Sequence, residues 1–552
     1  MKESKKFPIE HIWMVSREYD GLAGAGGVKD VCRQLAEALV EHGGCQVRVV
    51  LPRYGFMDAE KLGFSRLQLS HRSGVLEPRT AFDVDMNYPG EERRETVSVW
   101  TKRIRDVELY LLEAERFAEK LGVYTYTVQE EKRKRWQQRG SGHFDFFSMN
   151  ILLQKATLDL MILLDHRPDI IHCQDGHAAT LPAMMRENPG YRQFFCNTGA
   201  VVTIHNAGLG YHQEVADLDF ARVVTGLPEF VIRSSRLGNS FDPFIAAAGY
   251  AQLNTVSENY GRELQETSED SRTGWLGHEL LQRGVKLAGI TNGINPEDFN
   301  PARAKELGLA APFNPEKGDL SGKKICKEQM LSSCSSITKW SRVEQYGRLS
   351  KNPELPLFTF IGRLTSQKGV DVLLQAVSLL LAGNELEEEK QTKKHEFQLL
   401  ILGSGDPELE RQLQELTKLD IIGDRICFLK GYDPELANKI YAAGDFFVIP
   451  SLYEPCGLTD YIAQLLGNLP VVHHVGGLVK VLDGKTGIAY RDHDQDALAD
   501  AMQRALELYS RDPEQLKNMQ QAAVQRIRSN HSWQNVMQDY LSIYQEALEM
   551  SY

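Results

Sequence analysis

The sequence predicts an α/β protein built from two doubly wound domains with parallel sheets, and three observations carry that expectation. The chain has 552 residues, too many for one hydrophobic core, and 42% of them are hydrophobic, enough to fill two or three. Short apolar runs alternate with helically spaced ones in both halves, the pattern of strand-helix-strand units. Glycine-rich or charged loops recur where a strand ends and a helix begins, which is where an open α/β sheet builds its ligand sites.

In the first half, His11-Ile-Trp-Met-Val-Ser16 reads as a buried strand, Val31, Leu35 and Leu39 mark the helix after it, and Gln46 to Leu51 is the next strand. The connecting loop, Gly21 to Asp30, has four glycines in its first seven positions, so its backbone can approach a ligand closely and leave helix-start amides open to an anion. Its spacing is neither the dinucleotide fingerprint nor a Walker loop. Asp169 to His172 ends another strand, and Cys173-Gln174-Asp175-Gly176-His177 turns into a helix carrying Leu181, Met184 and Met185. Val201 to Ile204 is terminated by His205-Asn206-Ala207-Gly208. Asp175, His177 and His205 thus stand at the carboxyl ends of successive strands, as candidate site residues do in such sheets. Lys132 to Arg135, inside Val123 to His143, reads as a solvated charged face.

From Gly289 to about Lys351 the chain is rich in Pro, Gly, Ser and Lys with little sustained period, which reads as a domain junction. Alternation then resumes: strands Leu357 to Ile361, Phe397 to Leu402, Cys427 to Lys430 and Phe446 to Ile449, with helices Val370 to Leu381, Glu408 to Leu419 and around Ala437 to Ala442. The first of these strands runs into Arg363-Leu-Thr-Ser-Gln-Lys368-Gly369, a fixed fork of donors and a mobile ammonium suited to a diphosphate. The last runs into Pro450 to Thr459, which sets Glu454 on a strand-to-helix loop and the amides of Gly457, Leu458 and Thr459 at a helix start. Tyr461, Ile462, Leu465 and Leu466 mark that helix, and Gly476-Gly477 follows the strand Leu469 to Val472. Arg363, Lys368, Glu454 and two glycine turns therefore fall on one edge of one sheet.

A formal charge of −12 argues against nucleic-acid and anionic-membrane binding, either of which needs a basic face. The eight cysteines contain no Cys-x-x-Cys pair and Met1 to Ile9 is charged where a secretory leader is apolar, so reduced thiols, a cytoplasmic location and no structural zinc are expected. Val370 to Ala382, the longest apolar stretch by this reading, is too short for a membrane span.

From about His11 to Tyr544 the chain resembles the bacterial glycogen and starch synthases, retaining glucosyltransferases of the GT-B architecture. The resemblance is carried by Gly26-Gly27 with Asp30, Asp175-Gly176-His177, Thr203-Ile204-His205-Asn206, Thr255-Val256-Ser257, Gly289 to Ile294, Arg363 to Gly369, Glu454-Pro-Cys456-Gly457-Leu458-Thr459 and Gly476-Gly477-Leu478. It implies two facing Rossmann-like domains, the first at 1–291, the second at 292–530, and a last helix at 531–552, begun by Ser532-Trp533, that crosses back onto the first. It also implies transfer of glucose from ADP-glucose to the non-reducing 4-hydroxyl of an α-1,4-glucan with retention, and no metal or other cofactor.

By the same resemblance Arg363 and Lys368 hold the diphosphate, assisted by Cys456 to Thr459, Gly476, Gly477, Gly26, Gly27 and Asp30. Glu454 holds the transferring glucose, His205 contacts it near the developing cation, and Asp175, His177 and Asn292 line the cleft. This sequence departs from the family at several positions. Gly24 stands where a lysine is usual, with Lys29 elsewhere on the loop by helical geometry; His473 and His474 stand for arginines, Val475 for threonine and Asp460 for glutamine. Three readings follow: an ADP-glucose-dependent synthase, a relative using UDP-glucose or another nucleotide sugar, and a catalytically weak glucan-binding relative.

Overall fold

The computed structural model describes residues 8–69, 79–388, 396–419 and 422–551. The charged amino terminus falls largely outside them, as does most of the 384–396 segment. The chain forms two compact units, one ending at Gly293 and resumed from Trp533, the other spanning Ile294–Ser532.

The first unit is organised by a 10-stranded sheet. Its strands are β1 (His11–Val15), β2 (Gln46–Pro52), β3 (Ser65–Arg66), β4 (Ala81–Asp85), β5 (Arg94–Ile104), β6 (Val107–Glu113), β7 (Ile170–Gln174), β8 (Gly199–Ile204), β11 (Gln252–Thr255) and β12 (Ala288–Gly289), with β9 (Arg236–Leu237) and β10 (Ser240–Phe241) forming a separate hairpin. The order is β12-β11-β8-β7-β1-β2-β6-β5-β3, with β4 also on β5. From β12 through β6 every pairing is parallel; β3, β4 and β5 add an antiparallel extension. Parallel strands are covered on both faces and so read as continuous apolar runs, as in β8, which is buried throughout.

The second unit carries a 7-stranded sheet of order β13-β16-β15-β14-β17-β18-β19. Its strands are β13 (Val343–Gly347), β14 (Leu357–Ile361), β15 (Gln398–Gly403), β16 (Ile426–Gly431), β17 (Phe446–Ile449), β18 (Leu469–His473) and β19 (Ile488–Tyr490). Only β13 is antiparallel. In each sheet the first strand of the winding has neighbours on both sides, β1 between β2 and β7 and β14 between β15 and β17. Chain direction across the sheet reverses there, which opens a crevice at the carboxyl ends of those strands.

Two sequence readings need correction. The stretch from Gly289 to Lys351 is mostly folded domain: it contains the helix Ser321–Cys334 and β13. That helix shows little apolar period because two of its buried positions are lysines. Lys323 donates to the carbonyls of Ala442, Gly444 and Leu466, and Lys327 to Asp445 at 2.7 Å. Among the described residues one helix, Phe146–Leu163, is longer than the Val370 to Ala382 stretch and long and apolar enough to cross a membrane; most of it is buried inside the first unit.

The final helix, Trp533–Ser551, packs on β8 and on the helix Val28–Glu41. Trp533 Nε1 donates to Gln34 at 2.8 Å, and Tyr544 Oη meets His172 Nδ1 at 2.9 Å. Since Thr203 Oγ1 donates to Asn254, His172 Nε2 donates to Thr203, and a buried relay ties the helix to β7, β8 and β11.

Candidate active site

In the second unit the loop after β14 is a short turn, Ser366–Lys368, capped by the Thr365 side chain and closed by Gly369 at φ +66°. Gly369 lies against Pro450, where a Cβ would run into the carbonyl oxygen, and Leu452 donates to Gln367 O at 2.8 Å. These contacts lock the loop after β14 to the loop after β17. Lys368 Nζ therefore reaches Glu454 Oε2 at 2.5 Å, and Ser451 Oγ donates to the same oxygen at 3.0 Å. Burial raises the Glu454 pKa, but the attraction of Lys368, the hydrogen bonds from Lys368 and Ser451 and the field of Lys480 outweigh it, and the carboxyl titrates below its ordinary value.

Arg363 is exposed at the end of β14 and makes no hydrogen bond or ion pair among the described residues. Gly476 and Gly477 serve the loop differently from the sequence expectation. Side chains at either would strike the backbone of Glu454 or Cys456, and Gly477 N–H is spent on Glu454 O at 2.9 Å. The pair allows two backbones to touch; Gly477 has no amide to offer an anion. The helix Thr459–Leu465 starts without a side-chain cap at Leu458.

In the first unit, Asp175 follows β7 in a left-handed conformation, φ +61°. Its Oδ1 accepts from His205 N at 3.3 Å. Burial pushes the carboxyl up to about 8 against the pull of the Asn206, His205 and Gly176 amides. His205 Nε2 donates to Gln174 Oε1 at 2.7 Å, leaving a lone pair on Nδ1, and burial brings its pKa down to about 3. His177 Nε2 accepts from Arg17 N at 3.0 Å, and burial holds this ring too well below the usual range. Asn292 is buried, and its backbone N–H donates to Val256 O at 3.4 Å.

The glycine loop of this unit differs from its expectation. The amides of Ala25 and Gly26 are taken by Glu18 Oε2, at 2.7 and 3.1 Å, while Tyr124 Oη donates to Glu18 Oε1. The anion on this loop is thus a side chain of the protein itself. Gly27 is the cap position of the helix Val28–Glu41 and accepts from Val31 N. Lys29 runs over Gly24, where its stem fills the space a Cβ would need, and its ammonium binds Asp20 at 3.0 Å and Asp30 at 2.7 Å. Helical geometry therefore does bring Lys29 to the position that lacks the family lysine, but engages its charge. Sequence reasoning missed Glu18, Gln174, Ser451 and Lys480, single polar residues without diagnostic spacing. Among the described residues no group of three His, Cys, Asp or Glu could hold a metal.

The family model of the starch synthase catalytic domain matches residues 11–282, and that of glycosyl transferases group 1 matches 355–508. A glycogen synthase of Aeromonas hydrophila is 30% identical over 550 residues, covering 97% of this chain and 98% of its own. This chain belongs to the glycogen and starch synthase family. A glycogen synthase of Aeromonas salmonicida matches it equally well, 30% over 548 residues with 97% and 98% covered. Among solved structures the catalytic domain of starch synthase IV from Arabidopsis thaliana, bound to ADP and acarbose, superposes with a TM-score of 0.75 at 24% identity, covering 98% of this chain and all of that one. That likeness gives this glycogen and starch synthase relative the GT-B fold, and the family makes it a glycosyltransferase.

Proposed function

We propose that the chain transfers glucose from ADP-glucose to the 4-hydroxyl at the non-reducing end of an α-1,4-glucan, with retention of configuration. The observation that carries this reading is the Lys368–Glu454 pair on one sheet edge beside the uncapped start of the helix Thr459–Leu465. The ADP and acarbose bound to the Arabidopsis starch synthase support a nucleotide and a glucan as ligands.

Glucosyl transfer separates a cationic sugar from an anionic diphosphate, so fixed donors at the leaving group supply the largest catalytic term. Arg363, which is exposed, and Lys368 fill that role, with the amides of Gly457, Leu458 and Thr459 adding dipoles of the same sign. Glu454, kept ionised by Lys368, accepts hydrogen bonds from glucose hydroxyls. In the first unit His205 is uncharged near neutrality, so it offers Nδ1 as an acceptor to a sugar hydroxyl without repelling the developing cation. Asp175 and His177 hold that strand edge in place, and Asn292 belongs to the same unit. The eight cysteines, all free and seven of them buried, suit the reducing cytoplasm to which we assign the protein.

Purified protein given glycogen and labelled ADP-glucose releases ADP and lengthens the glucan on this reading. Turnover with UDP-glucose alone overturns the donor, and glycogen binding without turnover on either donor overturns the reaction. Glu454→Ala and Lys368→Ala each lower kcat at least about 100-fold, roughly 2.7 kcal/mol of transition-state stabilisation, with the fold intact.

A further inference from the structure

Lys480 closes the turn Gly476–Lys480, and its side chain is 6% exposed. Its ammonium donates to the carbonyl oxygens of Cys456 and Gly457, the latter at 2.6 Å. Asp460 Oδ1 balances its charge at 3.1 Å, and the Tyr461 ring centroid lies 4.4 Å away. The two carbonyls belong to the peptides whose N–H groups are those of Gly457 and Leu458. In a trans peptide C=O and N–H point in opposite directions. Drawing both oxygens toward one buried ammonium therefore turns both N–H groups the other way, away from Lys480. A cation on the oxygen side also polarises each peptide and makes its N–H a stronger donor. Gly457, at φ +74°, supplies the backbone bend this arrangement needs.

We propose that Lys480 is a positioning residue for glucosyl transfer, holding the Cys456 and Gly457 carbonyls inward so that the amides of Gly457 and Leu458 face the departing diphosphate. This rests on the reading above that those amides bind diphosphate. Lys480 touches no substrate; it acts through the loop, and Asp460 makes its burial tolerable.

The test uses the full chain with ADP-glucose and glycogen. Lys480→Met leaves the Asp460 carboxyl buried without its cationic partner, so it is compared with Lys480→Met/Asp460→Asn, which removes both charges, and with Lys480→Arg, which keeps donors in place. In the double variant kcat falls about 30-fold and the Kd for ADP rises about 10-fold, while the KM for glycogen stays within about twofold. Lys480→Arg recovers part of both losses. A residue that only stabilises the fold lowers the melting temperature and leaves kcat and ADP affinity of the folded protein unchanged. A folded double variant with kcat and ADP affinity within twofold of the parent overturns the proposal, and so does a Lys480→Arg protein that behaves no better than Lys480→Met. A parent that turns over no nucleotide glucose overturns the underlying reading instead, and is recognised before any variant is made.

Discussion

Asp175 shows how far burial can move a residue's chemistry, even against three backbone amides that favour its charge. Its carboxyl is raised to about 8 in the folded chain and has no such elevation when unfolded. Between pH 5 and pH 8 the folded state therefore keeps a proton that the unfolded state has released. The contribution to stability is complete below the ordinary carboxyl range and is lost as pH rises through about 8. The slope for one such group is about 1.4 kcal/mol per pH unit. Asp175→Asn keeps the shape, tolerates the left-handed backbone and carries no titrating proton. The buried His177 and His205 titrate in the opposite sense over part of this range, so the quantity to follow is the stability of the parent minus that of the variant, which should fall as denaturant unfolding is repeated from pH 5 to pH 8. A difference independent of pH would mean that the carboxyl is already ionised in the folded protein.

At the scale of elements, the buried parallel strands were legible because their residues form unbroken apolar runs, and the site loops were legible because they follow those strands. Lys368 and Glu454 could be named for this reason, and the fold brings them together. The helix Ser321–Cys334 was not legible, since Lys323 and Lys327 occupy core-facing positions. Nor were Glu18, whose meaning lies in the amides of the loop that follows it, and Lys480, whose meaning lies in carbonyls of a loop well before it in the chain. Lys323→Met leaves the oxygens of Ala442, Gly444 and Leu466 without their shared donor, and should destabilise the second unit by about 2 to 4 kcal/mol in denaturant titrations. Gly369→Ala adds a Cβ at φ +66° against the Pro450 carbonyl. It should lower the melting temperature and, by moving the Lys368 turn away from Glu454, reduce kcat about 10-fold or more. Normal kcat in the folded variant would show that the turn positions Lys368 without help from that contact.

For the whole molecule, the path of the chain decides what can be separated from what. The first unit is interrupted after Gly293 and completed only by Trp533–Ser551, whose Trp533 ring lies against Gly293. Without that helix β8 loses its cover, and the His172 relay loses the Tyr544 hydroxyl. A fragment ending at Gly293 should therefore aggregate, whereas the same fragment joined to 533–551 through a few glycines and serines should fold, because the two ends already meet. The second unit closes on itself as well, since Ile294 N donates to His531 O at 2.9 Å. Excised as Ile294–Ser532 it should melt cooperatively, and because Arg363, Lys368, Glu454 and the 457–459 amides all belong to it, it should bind ADP in calorimetry. Lys368→Ala in the excised unit should weaken that binding about 10-fold or more, the share expected of one charged donor to a diphosphate. A folded excised unit that ignores ADP would mean that the nucleotide is held by residues outside Ile294–Ser532, and the roles assigned to its loops would have to be withdrawn.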